Sequence, residues 1–258
     1  MRLSQNISDM KQILAAFIFF TRLPFWKITN VPSRYFKHVV NYWPMVGYLT
    51  GGLMALTLFV TAHILPLPIA VILTVLMRLL ITGALHEDGL ADFCDGFGGG
   101  TSRERILEIM KDSHIGTYGV IGLILYYTLL IYTITSISYP LVCSVLFCGD
   151  IWAKYCSSHI INILPYARKE EESKAKIIYD KMPPQTMIIN TALGLFPTIF
   201  LLQARYIVAL VVSALVCYLL IRLMKKRLQG YTGDCCGALF LITELSFYII
   251  VLAIHYTL

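Results

Sequence analysis

Long apolar runs separated by short polar segments dominate this chain. A membrane-spanning helix needs about 20 mostly apolar residues. The runs predict about seven spans, at residues 39–62, 67–85, 115–136, 140–164, 185–203, 205–224 and 236–257. A shorter stretch, 10–26, is interrupted by charged and proline residues and predicts an interfacial or re-entrant helix. The expected fold is all-α, a polytopic transmembrane helical bundle that forms one integral membrane domain over residues 1–258.

Composition supports this pattern. Apolar residues make up 57% of the chain and charged residues only 14%, whereas soluble domains average about 45–50% and about 25%. The mean hydropathy is +0.71. These values exclude a soluble globular domain, a coiled coil and a disordered tail.

The basic residues predict how the chain is oriented. Nearly all lysines and arginines outside the apolar runs lie in residues 1–38 and in loops at about 86–114, 165–184 and 225–235, whereas Arg205 is alone on the opposite face. Basic loops remain in the cytoplasm, so we expect the N-terminus and these loops to be cytoplasmic. The net charge of +6 then reflects anchoring to the lipid bilayer, and no nucleic-acid partner is expected.

An acidic cluster follows the second apolar run. Asp88, Asp92 and Asp95 are spaced i, i+4 and i+7, so on a helix their carboxylates share one face. Like charges at this spacing repel one another, and a bound divalent cation would offset that cost. Few oxygen ligands completed by phosphate are typical of Mg²⁺. The cluster predicts a magnesium site, with His86 as a further ligand or a proton carrier; the alternative is a solvated acidic loop.

The segment after the cluster predicts a second helix. Thr101 and Glu104 have the spacing of a capping box, so we expect a helix from about 102 to 112. Its polar face carries Glu104, Glu108, Lys111 and Asp112. This face is interpreted either as a substrate-binding surface or as the polar side of an amphipathic surface helix.

Two further acidic residues stand out near the C-terminus. Asp234 follows Thr232 and Gly233 in the last polar loop and is a candidate for a second metal-ligand position. Glu244 lies about two to three turns into the final apolar run, where a carboxylate is by default a functional candidate.

Charged residues also occur within other apolar runs. Asp150 and Lys154 have i, i+4 spacing and predict a structural ion pair. Arg78 is expected to pair with an acid that the sequence does not identify. Together the acidic motifs predict Mg²⁺-assisted phosphoryl transfer involving a nucleotide-bearing substrate, in which an Asp or His takes the proton from an attacking hydroxyl.

The acidic motif also resembles a known family. His86 to Asp92, followed by Asp95-Gly96, resembles the signature of the adenosylcobinamide-GDP ribazoletransferase family, also called cobalamin-5′-phosphate synthases. The resemblance extends over nearly the whole chain, through Thr21–Pro24, Arg103–Ser113, Pro165–Arg168, Thr232–Asp234 and Thr243-Glu244.

The resemblance implies a function and a set of site residues. The family joins adenosylcobinamide-GDP to α-ribazole or α-ribazole 5′-phosphate, releases GMP, uses Mg²⁺ and resides in the bacterial or archaeal cytoplasmic (inner) membrane. It implies metal-ligand or acid–base roles for Asp88, Asp92 and Asp95, with Asp234 as a further ligand. The residues it implies for substrate binding are Arg103, Arg105, Glu108, Lys111, Asp112, Ser113, Thr232, Gly233 and Glu244. A homo-oligomer is also among the expectations.

Some positions depart from the family pattern, and two alternatives are considered. Glu87 replaces an apolar residue, His114 replaces an arginine, and the run 169–174 lacks expected glycines. A CDP-alcohol phosphotransferase also uses clustered aspartates, but it needs Ala-Arg where this chain has Phe97-Gly98. A transporter is the second alternative, and its usual inverted repeats are not visible in the sequence.

Overall fold

The computed structural model describes residues 2–169, 177–201 and 204–257, with side chains from Ser8 onward. This part of the chain is helical and contains no β-strand, which confirms the all-α prediction. Its helices are α1 Arg2–Phe20, α2 Trp43–Ala62, α3 Leu67–Thr82, α4 Leu85–Gly99, α5 Arg103–Ile109, α6 Thr117–Ser136, α7 Leu141–Ser158, α8 Ile160–Ile163, α9 Pro184–Leu195, α10 Ile207–Arg227 and α11 Gly233–Thr257. A 3₁₀ segment, Ser33–Tyr42, leads directly into α2.

Several of these helices are long and apolar enough to cross a membrane, but seven spans are not confirmed. Four helical segments in the described ranges qualify, namely Ser33–Ala62, Thr117–Ser136, Ala204–Arg227 and Gly233–Thr257. A fifth is counted if α3 and α4 form one broken span. The predicted span 185–203 is represented by the short α9 and a following 3₁₀ segment, Phe196–Leu201, and residues 202 and 203 lie outside the described ranges.

The N-terminal helix also differs from the prediction. We expected a short helix over 10–26, whereas α1 covers Arg2–Phe20 and is followed only by a 3₁₀ turn, Phe25–Lys27. Directly after the end of α1, the Thr21 hydroxyl donates to the Phe17 carbonyl at 2.7 Å and accepts from the Leu23 N–H at 3.3 Å.

A sharp bend between α3 and α4 positions the acidic helix. The two helix axes differ by 92°, because Gly83 and Ala84 both adopt left-handed backbone conformations with φ of 65° and 57°. Such a conformation is easy for glycine and strained for alanine. The backbone N–H of Arg22 donates to the Ile81 carbonyl at 2.6 Å, and the Arg22 side chain lies directly against Gly83. The bend therefore redirects the chain so that α4 packs between α11 and α6.

Two glycines allow α4 and α11 to approach closely. A Cβ at Gly89 would lie 3.0 Å from the Cα of Asp234, and one at Gly237 would lie 2.9 Å from the His86 carbonyl oxygen. Cβ atoms essentially never lie as close to backbone as 2.9 Å and seldom as close as 3.0 Å, so a larger residue at Gly237 would force the helices apart and one at Gly89 would require the backbone of α11 to shift. This contact brings the start of α4 beside the start of α11.

Buried charges join the helices in the interior. Arg78 on α3 contacts Glu244 on α11 at 2.6 Å and Glu87 on α4 at 3.3 Å, and all three are at most 4% exposed. This identifies the partners of Arg78 and gives a structural reason for Glu87. On α7, Asp150 and Lys154 form a fully buried ion pair, as the sequence predicted.

The short helix α5 begins one residue later than the capping box predicts. Ser102, not Thr101, is the N-cap, and its hydroxyl accepts from the Arg105 backbone N–H at 3.2 Å. The helix ends at Ile109, before the predicted end at 112. Glu104 is therefore not in the reciprocal capping position.

Candidate active site

A cavity of about 310 Å³ opens where α1, α2, α4 and α11 meet two loop segments. Such a volume is at the lower end of the range for small-molecule sites. Its lining combines acidic, basic and aromatic side chains: Phe19, Phe20, Val40, Trp43, Leu85, His86, Asp88, Tyr166, Arg168, Ile177, Tyr179, Gly233, Asp234, Cys236 and Gly237. Residues 170–176 of the adjoining loop lie outside the described ranges.

The open end of the cavity is acidic. Asp88 is exposed and Asp234 is 8% exposed, and both line the cavity. The Thr232 hydroxyl donates to Asp234 at 3.2 Å. Because Gly89, the neighbour of Asp88, contacts the Asp234 backbone, the two carboxylates are carried on adjoining turns of α4 and α11. The predicted residues Asp88, Asp234, His86 and Gly233 therefore meet at one cavity.

A basic side chain faces the same cavity. Arg168 lines it and is 9% exposed, and its guanidinium donates to the Leu107 carbonyl at 2.8 Å. The segment that carries Arg168 is fixed by backbone bonds from Ala167 N–H to the Tyr231 carbonyl and from Tyr231 N–H to the Pro165 carbonyl. The loops before α9 and α11 are thus joined beside the acidic pair.

The other end of the cavity is buried and aromatic. His86 is 2% exposed, and its ring lies 6.0 Å from Phe20, 5.7 Å from Trp43 and 4.8 Å from Phe240. Phe20 and Trp43 stack on each other at 5.0 Å. Tyr179, also in the lining, makes an edge contact with the Phe19 ring. Burial raises the pKa of the Tyr179 hydroxyl well above its ordinary value.

The other two aspartates of the acidic motif are placed differently. Asp95 is 7% exposed and its carboxylate accepts from the backbone N–H groups of Gly116 and Gly119, at 2.7 and 2.8 Å. It therefore caps the N-terminus of α6, where a negative charge is favoured. Asp92 is half-buried on α4 and is not among the residues that line the cavity. Of the three aspartates of the motif, Asp88 is therefore the one that lines the cavity.

The donor set at the cavity is suited to magnesium, but it is smaller than predicted. Within the described ranges, no group of three or more His, Cys, Asp or Glu side chains is arranged to hold a metal ion. The four predicted ligands therefore do not form one cluster. Asp88 and Asp234 remain, and Mg²⁺ at phosphate-transfer sites is commonly held by one or two carboxylates together with substrate phosphates. Magnesium binding stays a prediction, limited to this pair.

The predicted substrate-binding residues on α5 and in the turn after it are not among those that line the cavity. Arg103 donates to the carbonyls of Leu228 and Ala167, at 2.9 and 2.8 Å, and so ties α5 to both loops. Arg105 and Glu108 form an exposed ion pair at 2.6 Å. Lys111, Asp112 and Ser113 are exposed.

The contacts of Asp112 within the described ranges are local. The backbone N–H and ring of His114, which bind its carboxylate at 3.0 and 2.7 Å, hold the pKa of Asp112 below its ordinary value. These contacts order the turn before α6. Substrate contact by α5 and this turn remains a prediction that the cavity lining does not support.

Glu244 lies in a buried network of hydrogen bonds and ion pairs. It is fully buried, accepts a hydrogen bond from the Tyr248 hydroxyl at 2.8 Å and pairs with Arg78, which in turn donates to the Tyr126 hydroxyl at 2.7 Å. The carboxylate is therefore paired within the bundle, and it is the acid partner of Arg78 that the sequence did not identify. Its placement argues for a role in holding four helices together.

Sequence reasoning missed the aromatic part of the site. Phe20 and Trp43 lie within or beside apolar runs, where aromatic residues do not differ from ordinary membrane or core positions. Tyr179 lies in a loop with no motif. Arg168 was included only as part of the family resemblance. The sole local signal is that Phe19 and Phe20 immediately precede the Thr21–Pro24 motif.

Known proteins resemble this chain over nearly its whole length. The family model described as cobalamin-5-phosphate synthase matches residues 12–252. A protein named adenosylcobinamide-GDP ribazoletransferase from Leptospira interrogans is 33% identical over 252 residues, covering 93% of this chain and 94% of that protein. Proteins of the same name from Shewanella frigidimarina and Shewanella baltica are 34% and 35% identical, with at least 98% of each chain covered. No solved structure matches significantly.

The match spans both polar loops and both helices that carry the acidic pair. Because the family model covers residues 12–252, it includes every described residue that lines the cavity. The chain therefore belongs to the cobalamin-5-phosphate synthase family.

Proposed function

We propose that this protein joins adenosylcobinamide-GDP to a ribose hydroxyl of α-ribazole or α-ribazole 5′-phosphate and releases GMP. The product is adenosylcobalamin or its 5′-phosphate, which completes the nucleotide loop of cobalamin. The observation that carries the proposal is the meeting of Asp88, Asp234 and Arg168 in the lining of an aromatic cavity, in a chain that belongs to this family.

The reaction forms a bond from the ribose oxygen to the phosphorus attached to the cobinamide, and it breaks the phosphoanhydride bond to the guanosine phosphate. Asp88 is exposed at the mouth of the cavity and takes the proton of the attacking hydroxyl. Arg168 lines the same cavity and attracts the phosphates by its charge. Asp88 and Asp234 would hold Mg²⁺, which neutralises charge on the leaving GMP when bound.

The test is GMP release by the purified, full-length protein in detergent, with both substrates present and with or without Mg²⁺. We expect Asp88→Asn and Asp234→Asn to lower kcat by at least about 10²-fold, as is usual for loss of acid–base or charge-stabilising groups. Glu104→Gln is the matched control, because Glu104 is 78% exposed and makes only a 3.9 Å contact with Arg103.

Asp92→Asn distinguishes the cavity pair from the wider acidic motif. A smaller loss than for Asp88→Asn is expected, since Asp92 does not line the cavity. If folded protein releases no GMP with both substrates and Mg²⁺, the proposed reaction is wrong. If activity is equal with and without Mg²⁺, the proposed magnesium requirement is wrong.

We also infer that the protein lies in the bacterial or archaeal cytoplasmic membrane with the N-terminus and the cavity facing the cytoplasm. The apolar side chains exposed on α6 and α10, such as Ile124 and Val211, suit contact with lipid. In intact cells, an impermeant maleimide should label Leu65→Cys, in the turn between α2 and α3, and should label Glu104→Cys only after permeabilisation. The reverse pattern would overturn this orientation.

A further inference from the structure

The aromatic end of the cavity contains polar atoms that no described residue satisfies. His86 is 2% exposed, and neither of its ring nitrogens has a hydrogen-bond partner among the described residues. The indole Nε1 of Trp43, which is fully buried, also lacks one within the same part of the chain. Buried polar groups are nearly always hydrogen-bonded, and exceptions point to a functional role or a missing ligand.

The aromatic rings around these atoms favour a flat, apolar ligand. Phe20 and Trp43 stack with planes 10° apart, and the His86 ring is within 22° of both. Ring stacking and edge contacts of this kind favour planar aromatic molecules. In contrast, Asp88 and Gly233 are exposed at the open end. The cavity thus has an apolar inner end and a charged outer end.

A nucleoside has this same division into a flat base and a polar sugar. We propose that the inner end of the cavity holds the base of the acceptor nucleoside and that the His86 ring donates a hydrogen bond to the unsubstituted ring nitrogen of that base. The proposal rests on the proposed function, because the acceptor is a benzimidazole riboside. It makes His86 a specificity-determining residue and leaves proton removal to Asp88.

The polar content of the inner end favours the acceptor's base over guanine. Guanine presents several donors and acceptors at its edges, and each needs a partner when the base is buried. A dimethylbenzimidazole presents one ring nitrogen and otherwise apolar edges. The buried polar side-chain atoms of the lining that lack a partner among the described residues are those of His86 and the Trp43 indole, and the same lining includes Phe20 and Val40. A cavity of about 310 Å³ is also far too small for the whole corrinoid substrate, which must remain at the open end.

The test measures binding of the full-length protein in detergent, without corrinoid and therefore without turnover. Isothermal titration compares α-ribazole with the matching dimethylindole riboside, in which a C–H group replaces the ring nitrogen. We expect the wild type to bind α-ribazole about 10-fold more tightly, as one buried hydrogen bond implies. His86→Phe should lose this preference while it still binds the indole riboside, which shows that the variant is folded. His86→Gln, which retains an N–H donor, should restore part of the preference.

The outcomes separate this inference from its alternatives. If His86→Phe retains the preference for α-ribazole, the proposed hydrogen bond is wrong. If the variant binds both ribosides like the wild type and instead lowers kcat equally with both, His86 is a proton carrier. If GDP, and neither riboside, loses affinity in the variant, the inner end is a guanine site.

The proposed base site and the proposed reaction can be refuted separately, because binding tests the first and GMP release tests the second. A preference for α-ribazole that depends on His86, in a protein that releases no GMP, would refute the proposed reaction and support the base site. Normal GMP release without any such preference would refute the base site and support the reaction.

Discussion

Glu244→Gln tests whether the buried carboxylate of the last helix is structural or binds substrate. Glu244 is fully buried and pairs with Arg78 at 2.6 Å, and its other oxygen accepts from Tyr248 at 2.8 Å. Removing one partner of a buried ion pair usually costs about 3–5 kcal/mol, because the remaining charge is left uncompensated. Glu87 lies 3.3 Å from Arg78 and offsets part of this loss, so we expect about 3 kcal/mol.

A loss of this size is measurable in detergent-solubilised protein. For a chain of this length, about 3 kcal/mol corresponds to a decrease in Tm of roughly 6–12 °C. Glu104→Gln is the matched control, since its carboxylate is 78% exposed and exposed pairs contribute little. In a double-mutant cycle, Arg78→Gln combined with Glu244→Gln should cost less than the sum of the two single changes.

Activity measurements complete this test. Below the unfolding temperature of the variant, we expect its KM values to stay within about 2-fold of the wild type, because Glu244 does not line the cavity. A variant with wild-type Tm and a KM raised 10-fold or more would refute the structural interpretation. It would instead support the contact with substrate that the sequence pattern implied.

Three further changes test how the site is positioned. Gly237→Ala should lower GMP release at least about 10-fold, because its Cβ would lie 2.9 Å from a backbone carbonyl of α4. Gly52→Ala is the control and should not lower it, because its Cβ meets nothing closer than 4.0 Å. Equal effects of the two changes would contradict the close approach of α4 and α11. Asp95→Asn should lower the free energy of unfolding by about 1–2 kcal/mol, because it removes charge from the cap of α6, and an unchanged denaturation curve would argue against that cap. Arg105→Ala should change stability by less than about 0.5 kcal/mol, because its ion pair with Glu108 is exposed.

The hydrophobic pattern predicted the helical fold well, whereas the number of seven spans is not confirmed. Hydropathy records that residues 67–85 are apolar, and it does not record that Gly83 and Ala84 bend the chain by 92°. It also counts 185–203 as one segment, although α9 ends at Leu195. Backbone conformation at single residues decides these points, and a window average cannot detect it.

The acidic motif shows that the sequence alone also could not assign the role of each carboxylate in the site. By itself, the sequence determined a helical membrane-type fold, the i, i+4, i+7 carboxylates and the family, because periodicity, composition and motif order are local properties. Only the tertiary structure decided that Asp88 and Asp234, on two different helices, line one cavity, that Asp95 caps α6, and that Glu244 pairs with Arg78. The reason is physical: a carboxylate's role depends on which donors and charges surround it, and those come from helices distant in sequence that meet where Gly89 and Gly237 permit contact.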